Sequence, residues 1–70
     1  MSERETLQRE VAQHAARVRE IMAALQEIEA GGAEDLAQAQ VREAGLLRME
    51  LRGRTAAVEI GTARLKVLRD

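Results

Sequence analysis

Residues 45–68 read G-LLRMELR-G-RTAAVEI-G-TARLKVL, with glycines at 45, 53 and 61 each followed by seven residues. Within those runs apolar and polar side chains alternate, which is the pattern of a half-buried strand. The alternation predicts a three-stranded antiparallel β-meander with strands over 46–52, 55–60 and 63–68. Gly53-Arg54 and Gly61-Thr62 would be the central pairs of two-residue type II′ turns, which need positive φ at the first position. That register sets Leu47 beside Ile60 and Ala63, Met49 beside Val58 and Leu65, and Leu51 beside Ala56 and Val67, giving one apolar face. On the other face Glu59 lies between Arg48 and Arg64, and Glu50 lies near Lys66, so unlike charges meet across strands.

The same stretch has a helical alternative. Leu47, Leu51, Val58, Leu65 and Leu68 fit a heptad-like stripe, no proline forbids a long helix, and alanines 56, 57 and 63 suit a helix better than a strand. Against it, the stripe would include Arg54 and Gly61 and would leave Met49, Ile60 and Val67 off the seam. Each interior glycine would also cost about 1 kcal/mol relative to alanine. The expectation is therefore an α+β fold ending in the meander, with an all-α helical hairpin as the alternative.

Working back from this stretch, residues 3–30 carry Leu7, Val11, His14, Val18, Ile21, Leu25 and Ile28 at spacings of four and three. This heptad seam predicts a long helix over 3–30, with Ser2 and Glu5 as a capping-box pattern and Glu3 and Glu5 in the first turn. Such a helix is about 40 Å long, whereas a seven-residue strand covers only about 23 Å. The surplus seam suggests an identical helix from a second chain as its cover. Ala15, Met22 and Ala24 widen the stripe, as suits a helix with two neighbours. Gly31-Gly32 would end the helix in a left-handed cap. A shorter helix follows over 34–44, directing Leu36, Ala37, Val41 and Ala44 to the core. The whole, 1–70, reads as a single domain. A helix followed by GLLRMELRG…VEI resembles the bacterial nucleoid-associated proteins of the YbaB/EbfC type. The twelve residues of helix before Gly45 and the short second connection depart from that pattern, and no family is assigned.

A chain of 70 residues buries a small core, and with no cysteine it has no disulfide or thiolate metal cluster to reinforce it. It has no aromatic residue either, which removes the usual stacking platforms for bases and flat cofactors. No apolar run is long enough to span a bilayer and no secretory segment is evident, so the expected location is the cytoplasm. The net charge of −1 points to no partner. Its distribution is uneven, with acidic residues in excess over 1–30 and basic residues in excess over 46–70.

Chemistry-bearing residues are few. His14 is the only histidine, and it stands on the seam with no second ligand at one-turn spacing, so no metal or other cofactor is expected. No cysteine is present, the only serine is Ser2, and no histidine or lysine neighbours Thr6, Thr55 or Thr62, so nucleophilic catalysis lacks its parts. An enzyme is not expected. The expected function is a small non-enzymatic protein–protein interaction or assembly module. It would form a homodimer or higher oligomer through Leu7, Val11, His14, Val18, Ile21, Leu25 and Ile28, and would present Arg48, Arg52, Arg54, Arg64 and Lys66 to another protein. The alternatives are sequence-nonspecific nucleic-acid binding through that arginine-rich face, or a small chaperone or adaptor.

Overall fold

The structure of the protein, a computed structural model, describes residues 2–31 and 37–68. They form two helices, α1 over Glu3–Ala30 and α2 over Gln38–Val67. The helices pack against each other as an antiparallel hairpin, a rod 52 Å long and about 15 Å across.

The expected meander is absent. All of 46–52, 55–60 and 63–67 is helical, and no strand occurs among the described residues. Gly45, Gly53 and Gly61 are interior to α2 and make no turns. The expected helix over 34–44 falls partly on residues outside those described. From Gln38 onward it is the first part of α2, which passes Gly45 unbroken. The fold is therefore all-helical, and the α+β architecture is overturned in favour of the helical hairpin.

Three physical reasons account for the difference. Most of α2 is Ala, Leu, Arg, Glu, Gln and Met, the strongest helix formers, and no run of β-branched residues opposes them. The glycine cost of about 1 kcal/mol each is spread over a helix of 30 residues. Decisively, a seam of about 40 Å on α1 is covered along its length by another long helix, which short strands could not do. The mismatch that suggested a second chain is resolved within this one.

Local signals fix the ends. Ser2 caps α1, its Oγ accepting from the Glu5 N–H at 3.1 Å, with Glu3 and Glu5 in the first turn. At the other end Gly31 keeps right-handed backbone, φ −73° and ψ −6°, instead of the expected left-handed cap. Its N–H reaches Ile28 O at 3.3 Å. Ala37 has no side chain with which to cap α2, and instead Gln40 Oε1 accepts from the Ala37 N–H at 3.2 Å. Arg4, reaching across from α1, donates from Nη1 to the carbonyl oxygens of Leu65 and Leu68, both at 3.3 Å. It places a cation at the carbonyl end of α2.

The apolar contacts gather at the two ends of the rod. Toward the connection, Ile21, Leu25 and Ala44 are buried together, with Ile28, Leu47 and Leu51 packed against them. Ile21 has no exposed surface at all, and burial of such a side chain stabilises by about 1.5–3 kcal/mol. Toward the termini, Leu7 and Gly61 are buried, and Gly61 lies under Val11. A Cβ on Gly61 would collide with Val11 Cγ2, so the missing side chain is what lets the helices approach there. Nothing lies within 4 Å of a Cβ built on Gly45 or Gly53.

Gly45→Ala should therefore raise stability by about 0.5–1 kcal/mol through helix propensity. Gly61→Ala should lower it by about 1–3 kcal/mol despite the same gain, and combining it with Val11→Ala should recover most of the loss. Urea unfolding followed by circular dichroism measures all three. A Gly61→Ala chain as stable as Gly45→Ala would show that the backbones do not close at Val11.

Candidate interaction surface

α2 is apolar on two opposite sides. Ala44, Leu47, Leu51, Arg54, Val58, Gly61, Leu65 and Leu68 recur at three and four and are buried or half-buried along α1. Leu46, Met49, Gly53, Ala56, Ile60, Ala63 and Val67 recur in the same way, and every one is exposed. Leu46, Met49, Ile60 and Val67 are 62%, 72%, 62% and 78% accessible, so more than half of each lies open to solvent. On a helix these two sets lie on nearly opposite faces. The outer one is a second heptad seam that the hairpin leaves uncovered.

The inner seam contains the two residues that argued against a helix, and each has a counterpart. Gly61 accommodates Val11. Arg54 donates from Nη1 to His14 Nδ1 at 2.9 Å and from Nε to Glu50 Oε2 at 3.3 Å. Since a guanidinium only donates, His14 Nδ1 is the acceptor in this contact. Glu50 also receives a bidentate pair from Arg17, Nε to Oε2 at 2.8 Å and Nη2 to Oε1 at 2.9 Å, while Arg17 Nη1 reaches Glu20 at 3.3 Å. The middle of the hairpin is thus a polar layer linking His14, Arg54, Glu50 and Arg17 between two apolar ends. The Arg17 hydrogen bonds hold the Glu50 carboxyl below its ordinary value. Burial opposes this, and the Arg17 charge and the Arg54 hydrogen bond and charge add to it. The same bonds hold the Arg17 guanidinium still more firmly protonated.

Leu7, Ile21 and Leu25 of the expected oligomer seam are buried, and Val11, His14, Val18 and Ile28 are half-buried. α2 of the same chain covers this side of α1. The five basic residues are not brought together. Arg54 points into the hairpin toward His14, Arg48 approaches Glu29 at 3.5 Å, and Arg64 approaches Glu3 at 3.8 Å. Arg52 and Lys66 alone share one side of α2 with Arg48. Periodicity applied to Leu46, Met49, Ile60 and Val67 as a separate set was the signal that could have revealed the outer seam.

Among the described residues no group of three or more His, Asp or Glu could hold a metal ion, and no helix is long and apolar enough to cross a membrane. Clefts along the rod are shallow surface features, one of them lined by Leu7, Val11, His14, Ile60 and Gly61. The chain matches no protein family, no characterised protein and no solved structure.

Two outcomes test the polar layer. A carboxyl with a depressed folded pKa stabilises the fold fully above its unfolded value, and loses that contribution as pH falls through the folded one. Acid titration of the helical signal should therefore show stability falling as pH drops below the ordinary glutamate value of 4.5. In Glu50→Gln this part of the decline should be missing; an unchanged acid limb would mean that the Arg17 pair is not maintained in solution. Separately, His14→Leu combined with Arg54→Leu should raise stability by about 1–2 kcal/mol, because a polar seam layer is replaced by an apolar one. A melting temperature that does not rise would show that the layer is already as stabilising as packed leucine.

Proposed function

We propose that this chain is a non-enzymatic assembly module, a helical hairpin whose working surface is the outer seam of α2. The exposed line of Leu46, Met49, Ile60 and Val67 carries this reading. Large apolar side chains scattered singly over a surface need no explanation, whereas a continuous apolar line marks an interaction site. A helix with apolar residues on both faces is one with two neighbours, and the hairpin supplies only one of them.

The chemistry of the rest of the molecule favours binding over catalysis. His14 is engaged by Arg54, and Glu50 is held ionised by two arginines. Each has an arginine as its hydrogen-bond partner, and the cleft that His14 borders offers it no nucleophile to activate. The expected use of the α1 seam between chains is replaced in this proposal by the outer face of α2, because α2 already occupies the α1 seam.

Ile60→Lys is the direct test. The position is exposed in the hairpin, so helix content and unfolding midpoint should stay within about 0.5 kcal/mol of the parent. The parent should show concentration-dependent mass in sedimentation equilibrium, and the variant should sediment as a single hairpin at the same concentrations. A parent that remains monomeric at millimolar concentration would sink the assembly reading.

A further inference from the structure

The outer seam is bordered by charges, and their order along α2 selects both an occupant and an orientation. We infer that the occupant is a second copy of this chain, with its α2 lying antiparallel across the first. This inference rests on the assembly reading above and specifies its geometry.

Flanking the seam on one side are Gly45, Arg52, Glu59 and Lys66, and on the other Glu43, Glu50, Ala57 and Arg64. In an antiparallel helix pair each flank meets the same flank of its partner, and core layers join unlike heptad positions. Placing the two-fold axis between residues 54 and 55 stacks Leu46 on the partner's Ala63, Met49 on the partner's Ile60 and Gly53 on the partner's Ala56. Large residues then fill the layers on either side of a centre made only of glycine and alanine, where two backbones can approach closely. In that same register Arg52 faces the partner's Glu59, and Glu43 faces the partner's Arg64. The two-fold repeats both pairs.

Other arrangements lose this match. Sliding the antiparallel pair by one heptad toward the C-terminus sets Arg52 against the partner's Lys66 and Glu59 against its own copy. Sliding it the other way sets Arg52 against Arg52 and Glu50 against Glu50. A parallel pair in register would bring Glu59 to the partner's Arg64, but Arg52 would face Ala57. It would also stack Gly53 on Gly53 and Ala63 on Ala63, leaving thin layers between thick ones. Within one hairpin neither Arg52 nor Glu59 takes part in an ion pair among the described residues, and both are exposed. Arg64 makes only the loose 3.8 Å contact with Glu3, with both side chains more than half exposed.

The test is a charge exchange read by sedimentation equilibrium and by native mass spectrometry of mixtures. Arg52→Glu alone and Glu59→Arg alone each replace two attractive contacts with two repulsive ones, and should weaken self-association on the order of tenfold. Arg52→Glu/Glu59→Arg in one chain restores both contacts and should associate like the parent. An equimolar mixture of the two single variants should form heterodimers well above the statistical proportion, because that pairing alone satisfies both positions. Circular dichroism of each variant should match the parent, since all the changes are on exposed positions. If the parent associates but the mixture yields only the statistical proportion of heterodimers, the antiparallel register is overturned while the assembly reading stands. A parent that is monomeric at millimolar concentration overturns both.

Discussion

A single line of contact between two helices holds this molecule together. The described residues form two helices that share one interface, so neither can bury more than one stripe against the other. With no aromatic residue, the seam must be filled by Leu, Ile, Val and Ala, and among the described residues Ile21 is the one wholly enclosed. The chain gains its burial through length. A rod 52 Å long spreads many modest contacts along α1 and α2, and each large side chain in the seam supplies about 1.5–3 kcal/mol at most.

A uniform apolar seam of this kind can slide by a heptad with little loss, and three features oppose such slippage. Arg54 is placed to meet both His14 and Glu50, and a one-heptad shift would exchange His14 for Leu7 or Ile21 opposite its guanidinium, where burial without a partner is costly. Arg17 and Glu50 form a two-pronged pair whose geometry is met in one register. Gly61 provides the gap that Val11 occupies. Polar residues in a seam serve in this way elsewhere, specifying register at some expense in stability. Here the polar layer lies between two apolar ends, so it aligns the helices without interrupting either cluster.

The legibility of the two helices differed for a physical reason. α1 carries one seam, a serine cap and acidic residues in its first turn, so its periodicity stands out against a polar background. α2 carries two seams. Leu47, Leu51, Val58 and Leu65 belong to the inner one, and Leu46, Met49, Ile60 and Val67 to the outer one. Superposed in a linear sequence, they produce the apolar–polar alternation of a strand: Leu47, Met49 and Leu51 alternate perfectly, yet Met49 points away from the other two. Glycines at intervals of eight then looked like turns. Arg54 and Gly61 count against a helical seam as long as α2 is considered without its neighbour. Only with α1 opposite do the arginine find its histidine and the glycine its valine. The same superposition conceals the assembly surface, since Met49, Ala56, Ile60, Ala63 and Val67 fall on the apolar face of the expected sheet.

The three interior glycines of α2 separate what the hairpin explains from what it leaves over. Each lowers helix stability by about 1 kcal/mol relative to alanine, so each invites a reason. Gly61 has one inside the hairpin, because any side chain there would strike Val11. Nothing in the structure explains Gly45. Gly53 is exposed, with open space where its side chain would be, and a lone hairpin would be more stable with alanine in its place. It stands, however, on the outer seam beside Ala56, at the point where an antiparallel copy of α2 would cross most closely. In that setting the missing side chain has the same use as at Gly61: it admits a neighbouring helix. Two glycines eight residues apart, Gly61 on the inner seam and Gly53 on the outer one, would then mark the close approach of two different neighbours, α1 and a second hairpin.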